Sequence, residues 1–189
     1  MHPADRSWIA KAPSAPALVT RSPAEDIDGG FEALFEAHYR QIGLYALCML
    51  ANPSEAEEAA SETIDRAYRA WVAGHGPNGS PLPWLLAICR NIVRAQRRRA
   101  RLVRWLPLPG PDREPVDPGG DIADAEFQLW LGQLQGLLSR REFEALTLRY
   151  IEDLGDAGAA LALGVSVSGF RTLISRALAK LRVHPEVWK

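Results

Sequence analysis

The stretch "DAGAALALGVSVSGFRTLISRALAKLR", residues 156–182, contains a short apolar segment, a turn at Gly164 and a longer amphipathic segment. Asp156 is suited to cap the first segment, and Gly164 to the position just past its end. Ser166 is then the expected cap of a second helix. The inward positions of this helix are Val167, Phe170, Ile174, Ala177, Leu178 and Leu181. Two helices joined by a turn of about three residues are typical of a helix-turn-helix.

The second helix of this pair is a candidate DNA-binding element. Such a helix can enter the major groove, where arginine and hydroxyl side chains reach base edges and phosphates. The residues predicted to make these contacts are Ser166, Ser168, Arg171, Thr172, Ser175 and Arg176. On this segment alone, an ordinary three-helix bundle with a solvated basic face remains the alternative.

Helical periodicity continues through the rest of the chain, on both sides of one long break. Apolar residues recur at helical spacing on each side, and no stretch alternates like a strand. The break, "LPLPGPDREPVDPGGD" at residues 106–121, is rich in Pro, Gly and Asp, as linkers are. We therefore predict an all-α protein of two small helical domains joined by a flexible linker, the C-terminal one a helix-turn-helix. The predicted boundaries are a disordered tail over 1–30, a first domain over 31–105, a linker over 106–122 and a second domain over 123–189.

Arginine is concentrated at the end of the first predicted domain. "RNIVRAQRRRARLVRW", residues 90–105, holds seven arginines and no acid, in a chain whose net charge is -1. A local patch, and not the total charge, decides what a protein attracts, so this helix end is a candidate for phosphate contacts. A solvated basic helix end is the alternative. The predicted DNA-binding residues here are Arg90, Asn91, Arg94, Arg97, Arg98, Arg99 and Arg101.

The acids that balance these arginines are prominent in an earlier helix, "SEAEEAASETIDRAYRAW". It opens with Ser54 and has Glu57 three residues later, which is the spacing of a capping box. Most of its acids lie off the apolar face. Taken by itself, this pattern is typical of a solvated surface helix.

Several classes of function find no support in the sequence. No apolar run approaches the roughly 20 residues that span a bilayer, and the N-terminus has no apolar core typical of a signal peptide. The two cysteines, Cys48 and Cys89, do not make a disulfide framework, which favours a reducing, cytoplasmic location. His and Cys fall at no metal-ligand spacing and no loop is of the phosphate-binding kind. We therefore expect no enzyme, no cofactor and no metal.

The order of these parts resembles the extracytoplasmic-function sigma factors, the small two-domain sigma factors of bacterial RNA polymerase. The resemblance covers roughly residues 31–182. In the first domain it rests on "NPSEAEEAASETIDRAY" and "PLPWLLAICRN", and in the second on "LLSRREFEALTLRYIEDLG" and "SRALAKLR". Both blocks occur in the family's order.

The resemblance implies two partners. The acidic helix would bind the β′ clamp helices of core RNA polymerase through Glu57, Glu58, Glu62, Asp65 and Tyr68. The arginine-rich helix would lie on promoter DNA at the minus-ten element, and the preceding loop, about 72–82, would capture a flipped base. The second domain would read the minus-thirty-five element and contact the β flap. An anti-sigma factor is a further possible partner, and no membrane is expected.

The sequence departs from the family pattern inside the helix-turn-helix. Gly158 stands where the family has Glu, and Leu173 stands where it has Arg. Two alternatives therefore stay beside a sigma factor. One is a helix-turn-helix regulator that does not replace the housekeeping sigma factor, and the other is a sigma-like adaptor that reads DNA poorly.

Overall fold

The computed structural model describes residues 23–105 and 122–185, with side chains described over 30–102 and 126–185. All regular structure in these ranges is helical, which confirms the predicted all-α class. The predicted linker falls outside them except for its last residue, Ile122, which begins a helix, and most of the predicted tail also falls outside them. None of the described helices, taken alone, is both long and apolar enough to cross a bilayer.

Three long helices form the first unit. They are α1 (Pro23–Leu50), α2 (Pro53–Val72) and α3 (Pro81–Trp105), and each packs against the other two. Their largest fully buried side chains are Ile42, Tyr45, Met49, Leu85, Leu86, Ile92 and Val93. The small inner face of α2, with Ala56, Ala59, Ala60 and Ala67 buried, lets that helix approach its neighbours closely.

Two helix starts in this unit differ from the sequence-based expectation. α1 begins at Pro23, eight residues before Phe31, where the apolar repeat starts and where the sequence first indicated a helix. α2 is capped by Asn52 and not by Ser54, since the Asn52 side chain accepts a 3.1 Å hydrogen bond from the Glu55 amide. Proline at the first helical position makes both early starts possible, because its missing N–H needs no partner there.

The second unit is built from shorter helices. They are α4 (Ile122–Leu137), α5 (Arg140–Leu146), which continues as a wider π-helical turn to Ile151, α6 (Asp156–Leu163) and α7 (Val167–Arg182). The predicted capping box at the start of α5 is confirmed, with Ser139 and Glu142 exchanging both hydrogen bonds. Buried Leu131, Leu148, Leu163, Phe170 and Leu181 hold these helices together.

The two units pack directly on each other. α6 lies against α3, and the π-helical turn lies against α1. As a result one apolar core runs through both units, from Phe31 in α1 to Leu181 in α7. This contact brings residues from distant parts of the sequence together, and it changes the surroundings of several candidate site residues.

Candidate protein and nucleic-acid interfaces

The acidic face of α2 is open to solvent. Glu57, Glu58 and Asp65 are exposed, and Glu62 is half-buried with Arg66 donating a 2.6 Å hydrogen bond to its carboxylate. Glu58, Glu62 and Asp65 follow one another at spacings of four and three residues, so they form a stripe along one side of the helix. An acidic stripe of this kind is complementary in charge to a basic protein surface.

Tyr68 extends this stripe with an apolar element. Its side chain is 39% exposed, and its ring meets the Phe31 ring edge-on at 5.3 Å between centroids. Trp71, 6.1 Å from the same Phe31 ring, completes an aromatic cluster between α1 and α2. The cluster fixes the orientation of Tyr68. The five residues predicted to bind polymerase thus all lie on one helix, α2.

The arginine-rich half of α3 presents two different stripes. Asn91, Arg98 and Arg99 are exposed, as is Arg101 near the helix end. In contrast, Arg90 is buried and Arg94 and Arg97 are half-buried. Arg90, Arg94 and Arg97 follow one another at spacings of four and three residues, so they lie on one face of the helix, and this face points to the second unit. The seven candidates therefore divide into a solvent-facing set and a set at the contact between units.

Arg90 makes a buried ion pair across that contact. Its Nε donates to Glu144 Oε1 at 2.7 Å, and the side chains are only 10% and 6% exposed. The Tyr45 hydroxyl donates to the same carboxylate oxygen at 2.8 Å. Burial raises the pKa of Tyr45, and the Glu144 charge raises it further, so this phenol stays a donor. The sequence gave no indication of either bond, because Glu144 lies 54 residues from Arg90 and 99 residues from Tyr45.

Like charges surround this pair. Burial lowers the pKa of Arg97, and the charge of Arg140 on α5 lowers it further, while Glu144 acts in the opposite direction. Burial also lowers the pKa of Arg140; Glu144 opposes this shift, and Arg94 and Arg101 add to it. Glu144 is thus the acid that counters arginines from both units.

The helix-turn-helix has the geometry that its sequence predicted. The axes of α6 and α7 differ in direction by 95°, within the usual range for this motif. Gly164 takes the left-handed conformation at the turn, with φ +65°. Ser166 caps α7, its hydroxyl accepting a 3.1 Å hydrogen bond from the Gly169 amide. At the start of α6, however, Gly155 holds the cap position and Asp156 is the first helical residue.

The predicted DNA-contacting residues of α7 lie on its outer face. Ser166, Ser168, Arg171, Thr172, Ser175 and Arg176 are all exposed. Arg171 donates a 2.6 Å hydrogen bond to Asp156, which, with the Arg171 and Arg149 charges, holds the pKa of Asp156 below its usual range. Thr172 donates to the Ser168 carbonyl at 2.9 Å. Leu173 is half-buried against the apolar core, so its position is a packing position in this chain.

Comparison with known proteins agrees with this architecture. The family model of Sigma-70 region 2 matches residues 34–103, and that of Sigma-70, region 4 matches residues 128–181. The ECF RNA polymerase sigma factor SigG of Mycobacterium tuberculosis is 28% identical over 188 residues, covering 86% of this chain and 50% of that protein. This chain therefore spans about half the length of that relative. The RNA polymerase sigma factor NccH of Alcaligenes xylosoxydans xylosoxydans is 26% identical, covering 89% and 94% of the two chains.

A solved structure shares the fold. The sigma factor RpoE of Bartonella quintana, determined in complex with the anti-sigma factor NepR, has a TM-score of 0.64 at 22% identity. The match covers 85% of this chain and 99% of RpoE. At that identity the likeness concerns the fold alone. Region 2 and region 4 nevertheless follow each other in one chain in the order of their family, and the chain belongs to the extracytoplasmic-function sigma factors.

Proposed function

We propose that this protein is an RNA polymerase sigma factor that directs promoter-specific transcription initiation without catalysing a reaction itself. The observation that carries the proposal is the joint presence of an exposed acidic stripe on α2, an arginine-rich α3 and a helix-turn-helix. A plain DNA-binding regulator needs the last of these but not the first. The role places the protein in the cytoplasm, where bacterial RNA polymerase works.

The charges separate a protein-binding surface from two DNA-binding surfaces, and the resemblance to the family implies the polymerase and promoter element that each one meets. Glu57, Glu58, Glu62, Asp65 and Tyr68 bind the β′ clamp helices of core polymerase. The arginine helix contacts the minus-ten element, and its exposed Asn91, Arg98 and Arg99 are accessible in the arrangement described here. The outer face of α7 reads the minus-thirty-five duplex, with region 4 also meeting the β flap. Two patches of opposite sign for two partners account for a net charge of only -1.

An anti-sigma factor is a proposed further partner. The sigma factor RpoE, which shares this fold, was solved with the anti-sigma factor NepR, and CnrH, which also shares it, was solved with the cytosolic domain of CnrY. Such a protein would hold this sigma factor inactive until a signal releases it.

The first test measures binding of the full chain to sigma-free core polymerase by fluorescence anisotropy, at two salt concentrations. We expect saturable binding that Glu58→Lys with Asp65→Lys weakens by about tenfold or more, since like charge against a basic surface costs several kcal/mol. These two acids are chosen because Glu62 is paired with Arg66 and its reversal would also disturb the helix.

The matched control is Glu36→Lys, which reverses an exposed acid on α1. It should bind core polymerase like the unchanged chain, and circular dichroism should show the same helicity for all variants. Absence of core binding, with DNA binding intact, would contradict the sigma proposal and favour a stand-alone regulator. Core binding without promoter selection would favour the adaptor.

A further inference from the structure

Arg171, on the outer face of α7, is held by an acid of the preceding helix. Its Nε donates a 2.6 Å hydrogen bond to Oδ2 of Asp156, the first residue of α6. The Arg171 side chain is nevertheless 69% exposed, so most of the guanidinium is in contact with solvent. Nε is its only nitrogen with a hydrogen bond among the described residues, and the two terminal nitrogens keep their hydrogens for another acceptor.

Asp156 is itself held from its other side. Its Oδ1 lies 3.7 Å from Nη1 of Arg149, on the π-helical turn, and the same Nη1 donates a 3.1 Å hydrogen bond to the Leu154 carbonyl. Each carboxylate oxygen thus has a cationic neighbour, which restricts the orientation of the carboxylate. Since one acid lies between two arginines, the Arg149–Asp156–Arg171 group keeps a net positive charge and attracts the acceptor groups of DNA.

The main effect of the Arg171–Asp156 pair is on orientation. An ion pair as exposed as this one adds little to the stability of a fold, because water screens it. A free surface arginine samples many rotamers, and it loses that freedom when it binds a partner. Arg171 has lost part of this freedom before any partner arrives, so its guanidinium is preorganised for binding.

The hydroxyl groups near Arg171 are engaged in the structure of the helix itself. The Ser166 hydroxyl accepts from the Gly169 amide and lies 3.1 Å from the Ser168 hydroxyl. The Thr172 hydroxyl donates to the Ser168 carbonyl at 2.9 Å, so it offers DNA only an acceptor and a methyl group. At the start of α7, Arg171 is therefore the side chain that combines available donors with a restrained geometry.

We infer that Asp156 is a positioning residue for base recognition, which holds Arg171 so that its terminal nitrogens meet a guanine of the minus-thirty-five duplex. The inference rests on the proposed function. Guanine presents O6 and N7 in the major groove, and a correctly oriented guanidinium donates to both. Arg176, exposed on the same face, makes no hydrogen bond within the described part of the chain and suits a phosphate contact, which carries no sequence information.

The sequence preference of the holoenzyme tests this inference. The full chain, unchanged or with Asp156→Ala, is assembled with core polymerase and bound to promoter fragments randomised over the minus-thirty-five element, and the bound fragments are sequenced. Arg171→Ala identifies the base pair that Arg171 recognises. The unchanged chain should prefer G·C there by about fivefold to a hundredfold. Asp156→Ala should lose most of this preference at that position and keep the preferences at the others.

The affinity for fragments with a scrambled element separates positioning from a structural role. Asp156→Ala removes a negative charge beside the DNA, so this non-specific affinity should be unchanged or higher. A damaged helix-turn-helix would instead bind every sequence more weakly, as Arg176→Ala should through its lost phosphate contact. In the Arg171→Ala chain, adding Asp156→Ala should change no preference further, because Asp156 acts through Arg171.

The matched control is Asp153→Asn, which removes the charge of an exposed acid three residues earlier. Asparagine tolerates the left-handed backbone of this position, φ +51°. This variant should keep the full preference, and circular dichroism should show the same helicity for all variants. Asp156→Asn retains an acceptor but no charge, so it should keep part of the preference and gives a second measurement if Asp156→Ala folds poorly.

Two results would overturn the inference. One is an undiminished preference for G·C in Asp156→Ala, and the other is a loss of preference at every position together with weaker binding to the scrambled element. A holoenzyme of the unchanged chain that forms normally but prefers no minus-thirty-five sequence would contradict the proposed function, and Asp156 would then have no base recognition to support.

Discussion

Glu142 and Glu144 are two residues apart on α5, and both are buried, but they stabilise different parts of the molecule. Glu144 belongs to the contact between units. Glu142 works within region 4, where it completes the capping box with Ser139 and accepts a 2.6 Å hydrogen bond from Lys180 on α7. One residue therefore links the start of α5 to the end of α7.

We predict that Glu142 makes the stability of region 4 depend on acid pH. Burial raises the pKa of this carboxyl, but the hydrogen bonds from Lys180 and Ser139 and the Lys180 charge lower it more, so the net shift is downward from 4.5. A depressed folded-state pKa means that the stabilisation is present above the unfolded value and is lost as pH falls through the folded value. Chemical unfolding at neutral pH and below pH 4.5 measures this dependence.

Glu142→Gln should lower the free energy of unfolding at neutral pH by about 1.5–3 kcal/mol, the usual contribution of a hydrogen bond to a charged group. Its stability should then vary less with acid pH than that of the unchanged chain. Glu126→Gln, at an exposed acid on α4, is the control and should alter neither property. A parallel pH profile for Glu142→Gln and the unchanged chain would refute the assignment.

At the scale of the element, α3 carries arginines on two faces with different surroundings. Its apolar first half is buried in region 2, and its second half carries arginines that divide between solvent and region 4. The side chains of Arg98 and Arg99 are exposed and so are available to phosphate while the two units are in contact. Substitution of this pair therefore tests DNA binding without altering the contact between units.

We predict that Arg98→Ala with Arg99→Ala weakens promoter binding and flattens its salt dependence. Each lost phosphate contact should reduce the slope of log affinity against log salt by about 0.9, so the pair should reduce it by about 1.8. Anisotropy titrations of the polymerase complex over a salt series measure the slope. Arg40→Ala, at an exposed arginine of α1, should leave the slope unchanged. An unchanged slope in the double variant would mean that this end of α3 does not contact phosphate.

At the scale of the whole molecule, a shared apolar core predicts cooperative unfolding. Because α6 packs against α3 and the buried Arg90–Glu144 pair joins the units, regions 2 and 4 should unfold together in the free chain. Differential scanning calorimetry should show a single transition for the unchanged chain and for the control Ala157→Glu, at an exposed position of α6. Gly158→Glu, which places a side chain against Pro83 of α3, should give two transitions or one much broader one. Two separate transitions in the unchanged chain would show that the contact contributes little free energy.

The amino-acid sequence by itself determined the features that depend on near neighbours. The helical class, the capping box at Ser139, the cap at Ser166 and the turn at Gly164 each follow from residues within a few positions of one another. The exposure of the acids on α2 follows in the same way from helical spacing. The residues predicted to bind polymerase and DNA stay predictions, but their grouping on α2, α3 and α7 was readable from periodicity and charge.

Only the tertiary structure decided what lies against the arginine face of α3. Periodicity identifies a face but does not say which distant element covers it, since contacts between elements depend on shape and charge across many residues. The sequence therefore showed Arg90 as one more arginine of the block, whereas docking of α6 and α5 buries it against Glu144, whose carboxylate also accepts a hydrogen bond from Tyr45. For the same reason the sequence alone indicated Gly158 only as a departure from the family pattern in the helix-turn-helix. A Cβ atom at position 158 would lie 3.1 Å from Pro83 Cγ of α3, so this residue stands at the contact between the two units.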